Sequence, residues 1–109
     1  MVAYNTAKGA ITNMTRCMAI DYAKDGIRVN AICPGAVETE ILLHTFHSVP
    51  GAEEKFNNAY PTGHVGTAVE IANACVFLAS RECDFLNGVN LPIDGGITAH
   101  TGQPYMGNY

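Results

Sequence analysis

Apolar and small residues recur at helical spacing from Ala3 to about Lys24. Ala7, Ile11, Met14 and Met18 fall on one line, with Ala3, Ala10 and Cys17 beside it, which predicts a long helix. This stripe is broader than a helix resting on a surface needs. It predicts contact with a sheet and with another helix, for which a partner subunit is one candidate source. Tyr4, Lys8, Thr12 and Thr15 form a narrower polar band, and Asp25-Gly26 ends the helix with glycine where a left-handed cap is favoured. Residues Ile27 to Cys33 are short-run, β-branched and stopped by Pro34-Gly35, the pattern of a strand. A helix turning tightly into an apolar strand is half of a βαβ unit, whose strands belong to parallel sheets covered on both faces.

A second helix is predicted from Thr67 to Ser80. Thr67 and Glu70 form a capping box, and Ile71, Ala74, Cys75 and Leu78 with Ala72, Val76 and Ala79 give another wide apolar surface. Asn87-Gly88 then turns the chain into the alternating run Val89 to Ile93, a strand that Pro92 assigns to a sheet edge, closed by Asp94-Gly95-Gly96. Between strand and helix, Glu38 to Gly66 is irregular, with short helices expected over Glu40 to Phe46, capped by Thr39, and over Ala52 to Ala59. A connection of this length usually covers a binding site, so we read it as a substrate lid. Its residues Ile41, Leu42, Leu43, Phe46, Phe56 and Tyr60 either line a pocket or pack on the body of the domain. Residues after Gly96 lack periodicity and read as a mobile or partner-docked tail.

The chemistry starts at the N-terminal helix. Tyr4 and Lys8 stand four apart, so they share a helix face with their Cβ atoms about 5–6 Å apart. The ammonium favours the phenolate, bringing the phenol toward the range where a general acid/base works. In an open parallel sheet, ligands sit beyond the carboxyl ends of the strands. That makes Ala36, Val37 and Thr39 candidate ligand contacts, while Pro34-Gly35 reads equally as a plain turn. His44 and His47 stand three apart without a third ligand at a recognisable spacing, so no metal site is assigned.

Composition narrows the partners. The 109 residues are 48% apolar, enough for one domain with a core, and carry a formal charge of -4 with no run of Lys or Arg. Nucleic acid and anionic membrane surfaces are therefore excluded as expected partners. Cysteines at 17, 33, 75 and 83 have no CxxC spacing, and no segment approaches the ~20 apolar residues of a membrane span. The expectation is a soluble, cytoplasmic protein with reduced thiols.

Four features stand in a fixed order: Tyr4-x-x-x-Lys8 on a long helix, Ile27 to Gly35, the lid, and Val89 to Gly96. As an ordered set over residues 1 to 96 they resemble the C-terminal half of the short-chain dehydrogenase/reductase family. The fold this implies is α/β, the C-terminal part of a Rossmann-like doubly wound parallel sheet lacking its N-terminal strands. Its regions are a catalytic helix and strand (1–33), a cofactor loop and lid (34–66), a helix and final strand (67–96) and a tail (97–109). The resemblance implies that Tyr4 exchanges a proton with a substrate hydroxyl or carbonyl while hydride passes to or from NAD or NADP. It implies that Lys8 holds the ribose hydroxyls of that cofactor, that Pro34, Gly35 and Val37 border the nicotinamide, and that Thr39 reaches toward the amide or the phosphates. The substrate is then a small alcohol or ketone, and the N-terminal helix a subunit interface of a homo-oligomer.

The chain also departs from the family's pattern. It has no glycine-rich phosphate loop, no residue reading the ribose 2′ position, no Asn-Asn-Ala-Gly segment, and only three residues before Tyr4, where the family's carbonyl-polarising serine lies upstream. Ala68 replaces a frequent proline, and His64 a frequent arginine. Two strands without neighbours are marginal alone. The isolated chain is therefore expected to be inactive and to depend on oligomerisation or an upstream segment, and a non-catalytic truncated paralogue acting as an oligomerisation module is the alternative.

Overall fold

The computed structural model describes residues 1–102. Helix α1 spans Val2–Asp21 and is followed by a single 3₁₀ turn at Ala23–Asp25, so the predicted helix to Lys24 tightens over its last residues. Gly26 closes that turn at φ 74°, the left-handed cap expected of it. Strand β1 is Ala31–Pro34, α2 is Glu40–Ser48 with Thr39 as N-cap, and α3 is Ala52–Ala59. Helix α4, Ala68–Ala79, opens on the predicted capping box: Thr67 Oγ1 accepts from the Glu70 N–H, and Glu70 accepts from the Thr67 N–H at 2.7 Å. Strand β2 is Asn90–Ile93.

The strands pair in parallel, with Ala31 opposite Asn90 and Pro34 opposite Ile93. Among the described residues they make the whole sheet, so each strand keeps an open edge. The strand expected to begin at Ile27 begins at Ala31 instead. The intervening residues spend their hydrogen bonds on the connection before β2. Arg28 donates to the carbonyls of Leu78, Ser80 and Leu86, and the Val29 N–H donates to Asn87 Oδ1. Asn30 donates to the Leu86 carbonyl and accepts from the Val89 N–H.

Much of the apolar stripe of α1 stays exposed, although Ile11 borders a pocket against β1 and Met18 is half-buried. Ile11 is 42% and Met14 51% exposed, whereas Thr15 and Ala19 are each only 4% exposed and lie on the side turned toward residues 87–90. Asn87 donates to the Ala19 carbonyl and Asn90 to the Thr12 carbonyl. A threonine tolerates this burial because its hydroxyl donates back to the Ile11 carbonyl at 2.9 Å. Only Ala19, Ala52, Tyr60, Val65, Leu78 and Cys83 are buried apolar residues among those described. The Cα radius of gyration is 16.8 Å, against about 13 Å for a compact chain of this length. Tail residues Ile97–Ala99 form a 3₁₀ turn, and the rest of the expected tail from residue 103 lies outside the described residues.

Candidate active site

The first two turns of α1 present Tyr4 and Lys8 to one side, and Lys8 Nζ lies 5.4 Å from the centroid of the Tyr4 ring. Both side chains border a pocket of about 280 Å³ whose other walls are Ile11, Thr12, residues 31–34 of β1 and Asn90. The helical pair and the carboxyl end of the strand thus meet at one place, although 22 residues separate Tyr4 from Gly26, where the chain turns back toward β1. Among the described residues neither the Tyr4 hydroxyl nor the Lys8 ammonium has a hydrogen-bond partner. Tyr4 is 59% exposed, so the phenol is open to an incoming group.

The other site candidates lie on the turn after β1. Pro34 lines the pocket with Tyr4 and Lys8, whereas Gly35, Val37 and Thr39 follow it along the turn and do not line it. The turn is fixed by the end of the lid. The Ala36 N–H donates to the Tyr60 hydroxyl at 2.6 Å, the Ala36 carbonyl accepts from the Gly66 N–H, and the Glu38 N–H donates to the Gly66 carbonyl. Thr39 caps α2, its Oγ1 accepting from the Leu42 N–H at 3.4 Å, which leaves the hydroxyl proton available as a donor.

Two residues of this region, Cys33 and Asn90, carried no functional expectation, and Tyr60 was expected to line a pocket or pack on the body of the domain. Cys33 is exposed on the wall of the Tyr4 pocket. Tyr60 is the anchor of the turn. Asn90 bridges β2 to α1, and its Oδ1 is buried without a hydrogen-bond partner among the described residues. A polar residue within the alternating run Val89 to Ile93 was the available signal for it. No cluster of metal-ligating side chains occurs among the described residues, and no helix is long and apolar enough to cross a membrane.

Beside the neighbouring turn Asp94-Gly95-Gly96, two carboxylates are held in their charged form. The Asp94 carboxyl lies below its ordinary value, chiefly because the Thr98 hydroxyl donates to it, with the Gly96 and Thr98 N–H groups adding to the effect. Glu70 is lowered by the Thr67 N–H and hydroxyl.

The chain belongs to the short-chain dehydrogenase/reductase family: the family model described as enoyl-(acyl carrier protein) reductase matches residues 1–98. It is 42% identical over 101 residues to meso-2,3-butanediol dehydrogenase of Serratia marcescens, covering 93% of this chain and 39% of that protein. It is 45% identical over 103 residues to 2-(S)-hydroxypropyl-CoM dehydrogenase 3 of Xanthobacter autotrophicus, covering 91% and 40%. Among solved structures, ElxO with NADP bound superimposes with a TM-score of 0.84 at 31% identity, over 91% of this chain and 40% of that one. The chain therefore spans about two fifths of the length of these relatives, and its fold is that of the corresponding part of a Rossmann-type α/β protein.

Proposed function

We propose that the chain is the C-terminal part of an NAD(P)-dependent oxidoreductase that interconverts an alcohol and a ketone or aldehyde. The observation that carries this reading is the single pocket in which Tyr4 and Lys8 meet the carboxyl end of β1, in a chain of the dehydrogenase family. Residues 1–33 supply the catalytic helix and strand, 34–66 the cofactor turn and lid, and 67–96 the last helix and strand.

A dinucleotide suits the residues present. Lys8 offers three donors with no partner of their own among the described residues, and the buried Asn90 Oδ1 lacks a donor there. The nicotinamide, when bound, supplies the hydride acceptor or donor. Tyr4 Oη takes the proton of the substrate hydroxyl during oxidation and returns it to the carbonyl oxygen during reduction. Lys8 holds ribose hydroxyls from its place beside the Tyr4 ring. Pro34, Gly35 and Val37 border the nicotinamide and Thr39 donates its free hydroxyl proton toward the cofactor. The carbonyl-polarising group and the phosphate loop come from a preceding segment, and the exposed Ile11 and Met14 face of α1 packs against another subunit.

The reading is tested by supplying the full-length protein with NAD⁺ or NADP⁺ and a panel of secondary alcohols and vicinal diols. Absorbance of reduced nicotinamide reports turnover. Alcohol-dependent reduction of one of the two cofactors is expected, and its absence across the panel contradicts the reading. The exposure of Val76 (69%) and Phe85 (104%) also fits the alternative of a non-catalytic oligomerisation module. That alternative requires the isolated 109-residue chain to bind full-length relatives on size-exclusion chromatography.

A further inference from the structure

Tyr60 stands at the end of α3, on the return leg of the lid, 24 residues after Ala36. It is one of the few buried residues among those described, at 9% exposure. Its hydroxyl accepts the Ala36 N–H at 2.6 Å. Its ring is seated between two glycines. A Cβ added at Gly35 would come within 2.9 Å of Tyr60 Cε1, and one added at Gly95 within 3.2 Å of Cδ1. The space for the ring thus exists because both neighbours lack a side chain.

The same Ala36 peptide is held a second time from the return leg, its carbonyl accepting from the Gly66 N–H at 2.9 Å. Val37 and Gly66 form a parallel bridge at the neck of the lid. The turn that follows β1 is therefore fixed by residues 60 and 66 at the far end of the lid, after both lid helices have passed. Displacing the return leg removes both hydrogen bonds of the Ala36 peptide together.

We propose that Tyr60 is a positioning residue that couples the lid to the cofactor turn: its hydroxyl and ring hold Pro34 to Val37 in the shape that receives the nicotinamide. This rests on the cofactor reading given above for Pro34, Gly35 and Val37. Tyr60 touches neither reacting atoms nor cofactor. It acts through the Ala36 peptide, so its loss is expressed in cofactor affinity before it is expressed in proton transfer.

The experiment uses the full-length protein and its Tyr60→Phe variant, which keeps the ring between the glycines and removes only the acceptor. Hydrogen exchange at the Ala36 amide, dinucleotide affinity by titration, and kcat at saturating cofactor are measured on both. Losing a hydrogen bond of this kind weakens the held state by about five- to tenfold. The expected result is faster Ala36 exchange and a dinucleotide Kd raised by about that factor, with kcat largely retained. A Kd unchanged while Ala36 exchange accelerates overturns the coupling alone. An Ala36 amide that exchanges at the unprotected rate in the unsubstituted protein overturns it without recourse to any variant. Failure of the unsubstituted protein to bind either dinucleotide instead overturns the cofactor reading on which the coupling rests.

Discussion

The guanidinium of Arg28 donates to the carbonyl of Leu78 at 2.9 Å and so ties the open end of α4 to the segment leading into β1. Its second terminal nitrogen donates to Ser80 at 2.9 Å, and the first also reaches Leu86 at 3.2 Å. One planar fork thus supplies strong donors to three carbonyls of the helix end and the following loop, the Leu86 carbonyl accepting from both Arg28 and Asn30.

Lysine presents a single ammonium and cannot reproduce that fork. Arg28→Lys is expected to destabilise the protein by about 2–4 kcal/mol, because charge-assisted bonds to part-buried carbonyls are lost. The ion pair with Asp84 contributes little by comparison. It is 3.7 Å long with Asp84 67% exposed, so Asp84→Ala should cost under about 1 kcal/mol. Urea midpoints of the two variants check the contrast.

Two glycines with left-handed backbones separate conformational cost from packing cost. Gly63, at φ 80°, has nothing near the place a Cβ would occupy, so Gly63→Ala is expected to cost about 1 kcal/mol from the backbone alone. Gly95, at φ 57°, would bring a Cβ within 2.5 Å of Thr62 Oγ1 and 3.2 Å of Tyr60. Gly95→Ala adds overpacking and should cost about 2–4 kcal/mol in all. Equal shifts in thermal midpoint for the two would contradict the observed seat of Tyr60 against Gly95.

Acid should weaken the fold through Glu70 and Asp94. Each carboxyl is lowered in the folded state from its ordinary value, 4.5 for Glu70 and 3.8 for Asp94, by donors that the unfolded chain does not hold in place. A folded value below the unfolded one gives stability that is present above the unfolded value and lost as pH falls through the folded value. Stability is therefore expected to be flat near neutral pH and to fall from about pH 4.5 downward. Glu70→Gln should flatten the upper part of that decline. A decline as steep in the variant as in the parent would show that the Thr67 donors do not stabilise the charged carboxylate.

Local chemistry made much of this structure legible in the sequence. The Thr67–Glu70 capping box, the Thr39 cap, the left-handed Gly26 and the bounds of α3 all depend on residues within a few positions of one another. The Tyr4 and Lys8 pair was legible for the same reason. What the sequence concealed depends on distant partners. Ile27 to Asn30 has the composition of a strand, yet Ile27 bonds back to Tyr22 and the side chains and backbone of Arg28 to Asn30 bond to residues 50 to 59 positions away. In α1 the periodicity marked Ile11 and Met14, but the side that meets this chain is Thr12, Thr15 and Ala19. That side is polar by composition and buried because Thr15 satisfies its own hydroxyl within the helix. Tyr60 looked like one aromatic among several in the lid, because nothing near it in sequence marks Ala36 or the two glycines around its ring.

The proposal that Tyr4 transfers the substrate proton is tested most directly by Tyr4→Phe in the full-length protein, with turnover and dinucleotide affinity measured on the same preparation. The substitution removes the hydroxyl and leaves the ring beside Lys8. General acid/base catalysis is typically worth about 10²–10⁴-fold, so turnover should fall by at least about that factor, with dinucleotide affinity nearly unchanged. Turnover surviving at the parental rate would contradict the role assigned to Tyr4.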